Sequence, residues 1–248
     1  MDGFASSIGK PRILVTRPAE DASSLAHALS RAGFEPVVVP LLLRRWCVDA
    51  VAETAKANPD IDWVVVTSGT AAQILATAAP DRWPEARWAA VGPTTAAKMQ
   101  QIGFPVDVVP EQATAAHLVD ALGDLTGQKV LYPRADLASP STRDALRAAG
   151  AELLDVVAYE NVAPEGYESR LRNILPVAAT TLLSGSAAER LADALSERER
   201  RRAGRIVCLG PSTAQVAHRF GLEVAAVARP HTVSGLLEAL VRLFDRIR

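Results

Sequence analysis

Cysteine, net charge and long apolar runs are all scarce in this protein of 248 residues, and each scarcity excludes a class of protein. The two cysteines, Cys47 and Cys208, lack the short spacing of a metal or redox motif, so we expect buried small side chains rather than a disulfide framework. A formal net charge of −1 gives no strong field for nucleic acid or an anionic membrane. The most apolar short run, 37–43, is interrupted by Pro40 and is far too short to span a bilayer.

Familiar cofactor and catalytic signatures are also missing from the sequence. There is no glycine-rich dinucleotide loop, no phosphate-binding loop, no zinc-protease motif and no nucleophile-elbow motif. The four histidines, His27, His117, His218 and His231, have no metal-ligand spacing, so no metal site is predicted. The first ten residues lack a charged segment followed by an apolar one, so we expect no secretory signal and a cytoplasmic protein.

What the sequence does contain is an internal duplication. Three pairs of segments match in the same order at offsets of 116 to 118 residues, which is unlikely by chance. A period this long predicts two similar domains, and ligand sites commonly lie in the cleft between such domains. The pairs are 12–17 (RILVTR) with 129–134 (KVLYPR), 67–72 (TSGTAA) with 183–188 (LSGSAA), and 91–96 (VGPTTA) with 209–214 (LGPSTA).

Within each copy, short β-branched runs alternate with longer alanine-rich amphipathic runs. The short runs are almost wholly apolar, as is typical of parallel strands that are covered on both faces. The sequence therefore predicts the α/β class, with two similar doubly wound parallel-sheet domains of the flavodoxin or Rossmann type. Among the predicted elements are strands at 106–109 and 152–157 and a single helix near 186–199.

Hydroxyl side chains and glycine recur where predicted strands end and helices begin. In a parallel sheet these segments lie at the carboxyl ends of the strands, where helix N-termini offer N–H groups to an anion. Plain N-capping uses the same residues at the same place, but two matched pairs of segments favour a ligand with several negative charges. The candidate substrate-binding residues are Thr67, Ser68, Thr70, Thr94, Thr95, Ser184, Ser186, Ser212 and Thr213.

Two arginines and one tyrosine complete the candidate site. Arg17 and Arg134 end the leading strand of each copy, where a guanidinium suits a carboxylate and a surface ion pair is the alternative. Tyr159 lies where the second copy leaves its second strand, and the first copy has no tyrosine at the matching position near 41–42. The phenol either anchors a strand or donates a hydrogen bond into the cleft.

The order and spacing of these motifs resemble the uroporphyrinogen-III synthase family over essentially the whole chain. The matching segments are 13–18 (ILVTRP), Thr67-Ser68, Val91-Gly92 with Thr95, 132–134 (YPR), 157–159 (VAY) and 209–213 (LGPST). The resemblance implies two α/β lobes joined by a two-stranded linker, with the first strand and helix of each copy packed into the lobe built by the other. It implies one domain of residues 1–36 and 163–248, a second of residues 41–158, and linker strands at about 37–40 and 159–162. The repeat alone favours a tandem division near 126–128.

The resemblance also implies an activity. The family converts the linear tetrapyrrole hydroxymethylbilane into uroporphyrinogen III, with loss of water, ring closure and inversion of ring D, and it needs no cofactor. Matching positions imply that Thr95, Thr213, Ser184 and Tyr159 line the cleft and that Tyr159 hydrogen-bonds the departing hydroxyl. We therefore expect a monomeric lyase whose partners are its eight-carboxylate substrate and, transiently, hydroxymethylbilane synthase, with no nucleic acid or membrane partner.

Two other classes of protein share the predicted architecture. A two-lobed binding protein for a sugar or similar small ligand has the same cleft, but such proteins are usually exported. A nucleotide-dependent transferase with two Rossmann-like halves would carry glycine-rich phosphate loops, which this sequence lacks. Fold analogy alone does not separate these alternatives, and the order of the motifs favours the synthase.

Overall fold

The computed structural model describes residues 9–81 and 83–245, and it confirms the predicted α/β class. The chain divides into two compact units, one made of 1–43 with 162–248 and the other of 44–161. Residues 1–8, which include most of the segment where no secretory signal is expected, lie outside the described residues. None of the helices in the described ranges is long and apolar enough to cross a membrane.

Short strands alternate with helices throughout both units. The strands are β1 (Arg12–Val15), β2 (Glu35–Val38), β3 (Leu43–Trp46), β4 (Trp63–Val66), β5 (Arg87–Ala90), β6 (Lys129–Ala135), β7 (Glu152–Val162), β8 (Ala179–Leu182), β9 (Arg205–Cys208) and β10 (Val224–Val227). The helices are α1 (Ala19–Arg31), α2 (Val48–Ala57), α3 (Gly69–Ala78), α4 (Pro93–Gln101), α5 (Ala115–Leu122), α6 (Pro140–Ala148), α7 (Tyr167–Ile174), α8 (Gly185–Ala194), α9 (Glu197–Arg202), α10 (Pro211–Arg219) and α11 (Val233–Asp245).

The first unit contains a five-stranded sheet in the order β10-β9-β8-β1-β2, with every neighbouring pair parallel. The chain passes from β1 to β2 in one direction and from β8 to β9 and β10 in the other, so the winding reverses between β1 and β8. Helices α1 and α11 pack on one face of this sheet, and α7, α8 and α10 pack on the other. This is a doubly wound sheet, and ligands of such sheets commonly bind outside the carboxyl ends of the strands, at the point of reversal.

The second unit contains a sheet in the order β3-β7-β6-β4-β5. The pairs β6–β7, β4–β6 and β4–β5 are parallel, and the winding reverses between β6 and β4. Helices α2, α3 and α4 cover one face, and α5 and α6 cover the other. All four residues of β4 are buried because the strand is covered on both faces, which explains its uninterrupted apolar sequence.

The two copies of the duplicated sequence are interleaved between the sheets. Strands β1 and β2 come from the first copy and lie beside β8 to β10 of the second. Strands β6 and β7 come from the second copy and lie beside β4 and β5 of the first. Each sheet is therefore built from both copies.

Three local predictions need correction. The helix expected near 186–199 is two helices, because α8 ends at Ala194 with an extended Leu195 as its C-cap, and Ser196 then caps α9 in a capping box with Glu199. The strand expected at 106–109 is reduced to one isolated bridge between Val108 and Ala89. The strand expected at 152–157 continues to Val162 as β7, since β3 pairs along its outer side.

Candidate functional site

The candidate residues gather at the carboxyl edge of each sheet, around the point where its winding reverses. In the first unit, Arg17 follows β1 and Ser184 follows β8, and these two strands are neighbours. In the second unit, Arg134 lies near the end of β6 and Ser68 follows β4, which are also neighbours. The sheet topology thus places these residues at the edge where open α/β sheets commonly bind their ligands.

Ser68 and Ser184 are matched N-caps. The Ser68 Oγ accepts a hydrogen bond from the Ala71 N–H at 3.1 Å, and the Ser184 Oγ accepts one from the Ala187 N–H at 3.2 Å. Each serine therefore stabilises the first turn of its helix. One lone pair of each hydroxyl oxygen is used in this way, and the hydroxyl proton is left to donate elsewhere.

Helices α4 and α10 begin differently, because their N-caps are Gly92 and Gly210. Glycine carries no side chain that could bond the first-turn N–H groups, so these two helix ends keep the donors and the partial positive charge that attract an anion. Thr95 and Thr213 are buried in the first turns of the two helices, while Thr94 and Ser212 beside them are exposed.

The remaining hydroxyl candidates lie at the starts of α3 and α8. Thr67 precedes the Ser68 cap, and Thr70 and Ser186 are second residues of their helices; all three are half-buried. The structure thus brings the predicted hydroxyls of each unit to one edge of its sheet.

The two arginines have unequal surroundings. The Arg17 Nη2 lies 3.7 Å from the Asp21 Oδ2, in a partly exposed pair one helical turn apart that contributes little energy. Arg134 is only 16% exposed, and its Nε and Nη2 donate to the two carboxylate oxygens of Asp155 at 2.5 and 3.3 Å. Its Nη1 donates to the carbonyls of Ala135 and Asp136. The Arg134 guanidinium is therefore committed to the protein in this structure.

Tyr159 is buried against α3, and its phenol reaches the start of that helix. The Tyr159 Oη donates to the Ser68 Oγ over 3.3 Å, which is long for a bond between two hydroxyls. Ser68 thus joins the N-terminus of α3 to the phenol. The matched Ser184 lies in the unit that lacks Tyr159, so this pairing distinguishes the two copies.

One polar residue beside Tyr159, Asp136, is not among the candidates predicted from the sequence. The Asp136 N–H donates to the Tyr159 carbonyl at 2.9 Å, and the Asp136 Oδ1 accepts from the Asn161 backbone N–H at 3.1 Å. Asp136 directly follows β6, a common place for a functional carboxylate. Its partners lie more than twenty positions away along the chain, so sequence reasoning could not find them.

No group of three or more histidine, cysteine, aspartate or glutamate side chains that could hold a metal ion occurs in the described ranges 9–81 and 83–245. Both cysteines are free, and each unit contains one of them. Burial raises the pKa of Cys208 to about 11. Burial, followed by the nearby charge of Glu160, also raises the pKa of Cys47 above its usual value.

Comparisons with known proteins are consistent along the chain. The family model for uroporphyrinogen-III synthase HemD matches residues 23–238. A Methanocaldococcus jannaschii protein, named provisionally as a uroporphyrinogen-III synthase, is 28% identical over 251 residues, which cover 95% of this chain and 100% of the relative. A Chlorobaculum parvum protein named uroporphyrinogen-III synthase is 24% identical, over 92% of this chain and 98% of the relative.

Solved structures show the same fold. The crystal structure of a mutant uroporphyrinogen III synthase from the extremely thermophilic bacterium Thermus thermophilus aligns with a TM-score of 0.65 at 18% identity, over 95% of this chain and 99% of that one. The uroporphyrinogen-III synthetase of Helicobacter pylori 26695 aligns with a TM-score of 0.64 at 17% identity, over 94% and 99%. At these identities the structural likeness establishes the architecture.

Proposed function

This chain belongs to the uroporphyrinogen-III synthase family, and from that membership we propose that it converts hydroxymethylbilane into uroporphyrinogen III. The reaction removes the terminal hydroxyl as water, closes the ring and inverts ring D. The family match supports this activity over the two alternatives, a sugar-like binding protein and a nucleotide-dependent transferase. We further propose that the enzyme is a lyase that works without a cofactor.

In this proposal, substrate binding depends on the two helix ends whose glycine N-caps provide no side-chain hydrogen bond. The substrate carries eight carboxylates, and the first turns of α4 and α10 offer N–H donors together with the hydroxyls of Thr94, Thr95, Ser212 and Thr213. Neutral donors at a helix end bind a carboxylate without burying a second full charge. We assign these turns as the principal carboxylate sites, supported by the remaining hydroxyl candidates Thr67, Ser68, Thr70, Ser184 and Ser186.

The arginines take lesser roles in this proposal. Arg17 is partly exposed in a weak pair, so its guanidinium can exchange Asp21 for a substrate carboxylate at small cost. Arg134 would have to release Asp155 or two backbone carbonyls to do the same. We therefore rank Arg17 above Arg134 as a substrate ligand.

Tyr159 is the residue that we propose for the chemical step. When the hydroxyl leaves, its oxygen gains negative charge, and a hydrogen bond to that oxygen is stronger in the transition state than in the ground state. Within the described part of the chain, the Tyr159 phenol makes one hydrogen bond, a long one to Ser68, and it can turn its proton to the substrate. Since a phenol is a weak acid at neutral pH, the remaining acceleration comes from backbone donors and from holding the reacting ends together.

Several finer assignments accompany this proposal. We propose a cytoplasmic monomer that receives its unstable substrate by transient hand-over from hydroxymethylbilane synthase. We retain residues 1–36 with 163–248 and residues 41–158 as the domains, with linker strands at about 37–40 and 159–162.

The activity is tested by analysing the products of the reaction. Purified protein is added to hydroxymethylbilane made in situ, and the type I and type III isomers are separated by chromatography. We expect type III to predominate, whereas heat-inactivated protein leaves the type I isomer that spontaneous closure produces. A mixture no richer in type III than this control would refute the assignment.

A further inference from the structure

The position of the Tyr159 side chain depends on an irregularity in β7. Successive side chains of a strand point to opposite faces, so Val156 and Ala158 share a face and residue 159 belongs on the other. In the structure, however, Val156, Ala158 and Tyr159 all lie in the same apolar cluster with α3 and α4. A regular strand would place the phenol on the α5 and α6 face, away from Ser68.

A register shift explains this placement. Along the β6–β7 ladder, Arg134 pairs with Val157, but the next residue, Ala135, pairs with Tyr159. One residue of β7, Ala158, is therefore extra, as in a β-bulge, and the alternation is reset after it. Bulges of this kind re-aim a side chain, and here the re-aimed side chain is the phenol.

Asp136 holds the segment that follows the bulge. Its N–H donates to the Tyr159 carbonyl at 2.9 Å, and its Oδ1 accepts from both the backbone N–H and the Nδ2 of Asn161 at 3.1 Å. These bonds fix the backbone at Tyr159 and again two residues later. On the other side of β7, the Cys47 N–H donates to the Ala158 carbonyl at 2.8 Å.

Asp136 is itself held by its neighbours. The Arg134 Nη1 donates to the Asp136 carbonyl at 3.2 Å, while the same guanidinium is paired with Asp155. A continuous series of hydrogen bonds thus connects Asp155, Arg134, Asp136 and Tyr159. Arg134 therefore has a structural role in holding Asp136, and this role accounts for its burial.

We propose that Asp136 is a positioning residue for the reaction, and that it acts by keeping the bulged β7 in the register that aims Tyr159 at Ser68. The inference rests on the proposed role of Tyr159. Without the Asp136 carboxylate, the two bonds from Asn161 to the Asp136 Oδ1 are lost, and the strand after Ala158 can slip back to regular alternation, which would turn the phenol away.

The placement of the phenol can be measured without any activity assay. The chain has three tyrosines, so protein labelled with ¹³C at the tyrosine ζ carbon gives three NMR signals, which single Tyr→Phe variants assign. We expect Asp136→Ala to shift or broaden the Tyr159 signal and Asp136→Asn to preserve it, because the amide oxygen accepts the same bonds. Asn161→Ala, a milder change, should move the signal in the same direction. An unmoved Tyr159 signal in Asp136→Ala, or in Asn161→Ala should the first variant not fold, would overturn the proposal.

Asp62→Ala is the matched control. The Asp62 Oδ2 accepts from the Lys129 N–H at 2.8 Å, which is a similar carboxylate-to-backbone bond at the opposite end of β6. This change removes a comparable contact in the same sheet, but we expect it to leave the Tyr159 signal and the rate of type III formation unchanged. A shift of the signal equal to that in Asp136→Ala would mean that general loosening of the sheet, and not Asp136, controls the phenol.

Turnover then shows whether Asp136 acts through the phenol. Asp136→Ala should slow type III formation by a factor no larger than Tyr159→Phe does, and should cause no further loss in the Tyr159→Phe background. The proposal would be overturned if Asp136→Ala lowered the rate by the same factor in the unaltered protein and in the Tyr159→Phe variant. Failure of the unaltered protein to make type III would instead refute the proposed function, and the NMR comparison would still decide the positioning role.

Discussion

At the residue scale, the sequence singles out candidate side chains more readily than it predicts how they are oriented. Tyr159 is conspicuous because the duplicated scaffold has no counterpart for it, and that reasoning requires no structure. Its orientation could not be predicted, because it follows from a bulge in β7, and the bulged segment bonds to Asp136, which lies after β6 and 23 positions away along the chain. Likewise, Ser68 and Ser184 look alike in sequence, and only the fold brings one of them to the phenol.

The two thiols give a prediction about individual residues. Cys208 is fully buried with a pKa of about 11, so at pH 8 only about a thousandth of it is the reactive thiolate. Cys47 also has a raised pKa, but its side chain is only half-buried, so a reagent can reach it. We expect an aromatic disulfide reagent to modify one thiol per chain in the native protein and both after unfolding in denaturant.

Cys47→Ser provides the control, since the native protein should then react hardly at all. Rapid modification of Cys208 in this variant under native conditions would contradict the complete burial of its thiol.

At the element scale, the alternation of strands and helices was predictable, whereas breaks within a run were not. The sequence near 186–199 has helical periodicity throughout. The continuous helix is nevertheless interrupted, because Ser196 starts a new helix by forming a capping box with Glu199. At 106–109 an apolar run predicted as a strand forms a single bridge, between Val108 and Ala89 of the edge strand β5. The periodicity of a sequence indicates which secondary structure a segment prefers, whereas contacts in the folded protein decide how many of its residues adopt that structure.

The first residues of α3 and α8 allow a matched test of helix packing. A Cβ on Gly185 would lie 2.9 Å from the Val216 Cγ2, a short branched side chain with little room to move. A Cβ on Gly69 would lie 3.1 Å from the Lys98 Cγ, part of a flexible side chain. We expect Gly185→Ala to lower the free energy of unfolding by about 1–3 kcal/mol through overpacking, and Gly69→Ala to change it much less.

Chemical denaturation of the two variants and the unaltered protein measures both effects. Equal losses of stability would show that the contact between α8 and α10 is looser than the structure has it.

At the scale of the whole molecule, the duplication predicts two similar sheets but misleads about which residues build each. The matched segments favour a cut near 126–128, because a repeat is most simply read as two tandem units. In the structure, β6 lies between β7 and β4, so neither sheet can be completed from one copy. Only the resemblance to a known family indicated this interleaving, since hydrophobic patterns do not encode which strands are neighbours.

The interleaving predicts which fragments fold. The segment 44–161 contains all five strands of the second sheet except the first residue of β3 and the last residue of β7, and we expect it to unfold cooperatively on its own. The tandem fragment 1–126 contains β4 and β5 without β6, together with β1 and β2 without β8, so it should have no cooperative transition. Thermal melts followed by circular dichroism compare the two fragments, and the reverse result would contradict the strand order.

The role of Tyr159 is tested most directly by the rate at which Tyr159→Phe forms type III product from hydroxymethylbilane, with Tyr167→Phe as a control for loss of a buried phenol in the other unit. Removal of one transition-state hydrogen bond should slow the reaction by about tenfold while the product remains type III. A rate equal to that of the unaltered protein would contradict the assignment of Tyr159 to the departure of the hydroxyl.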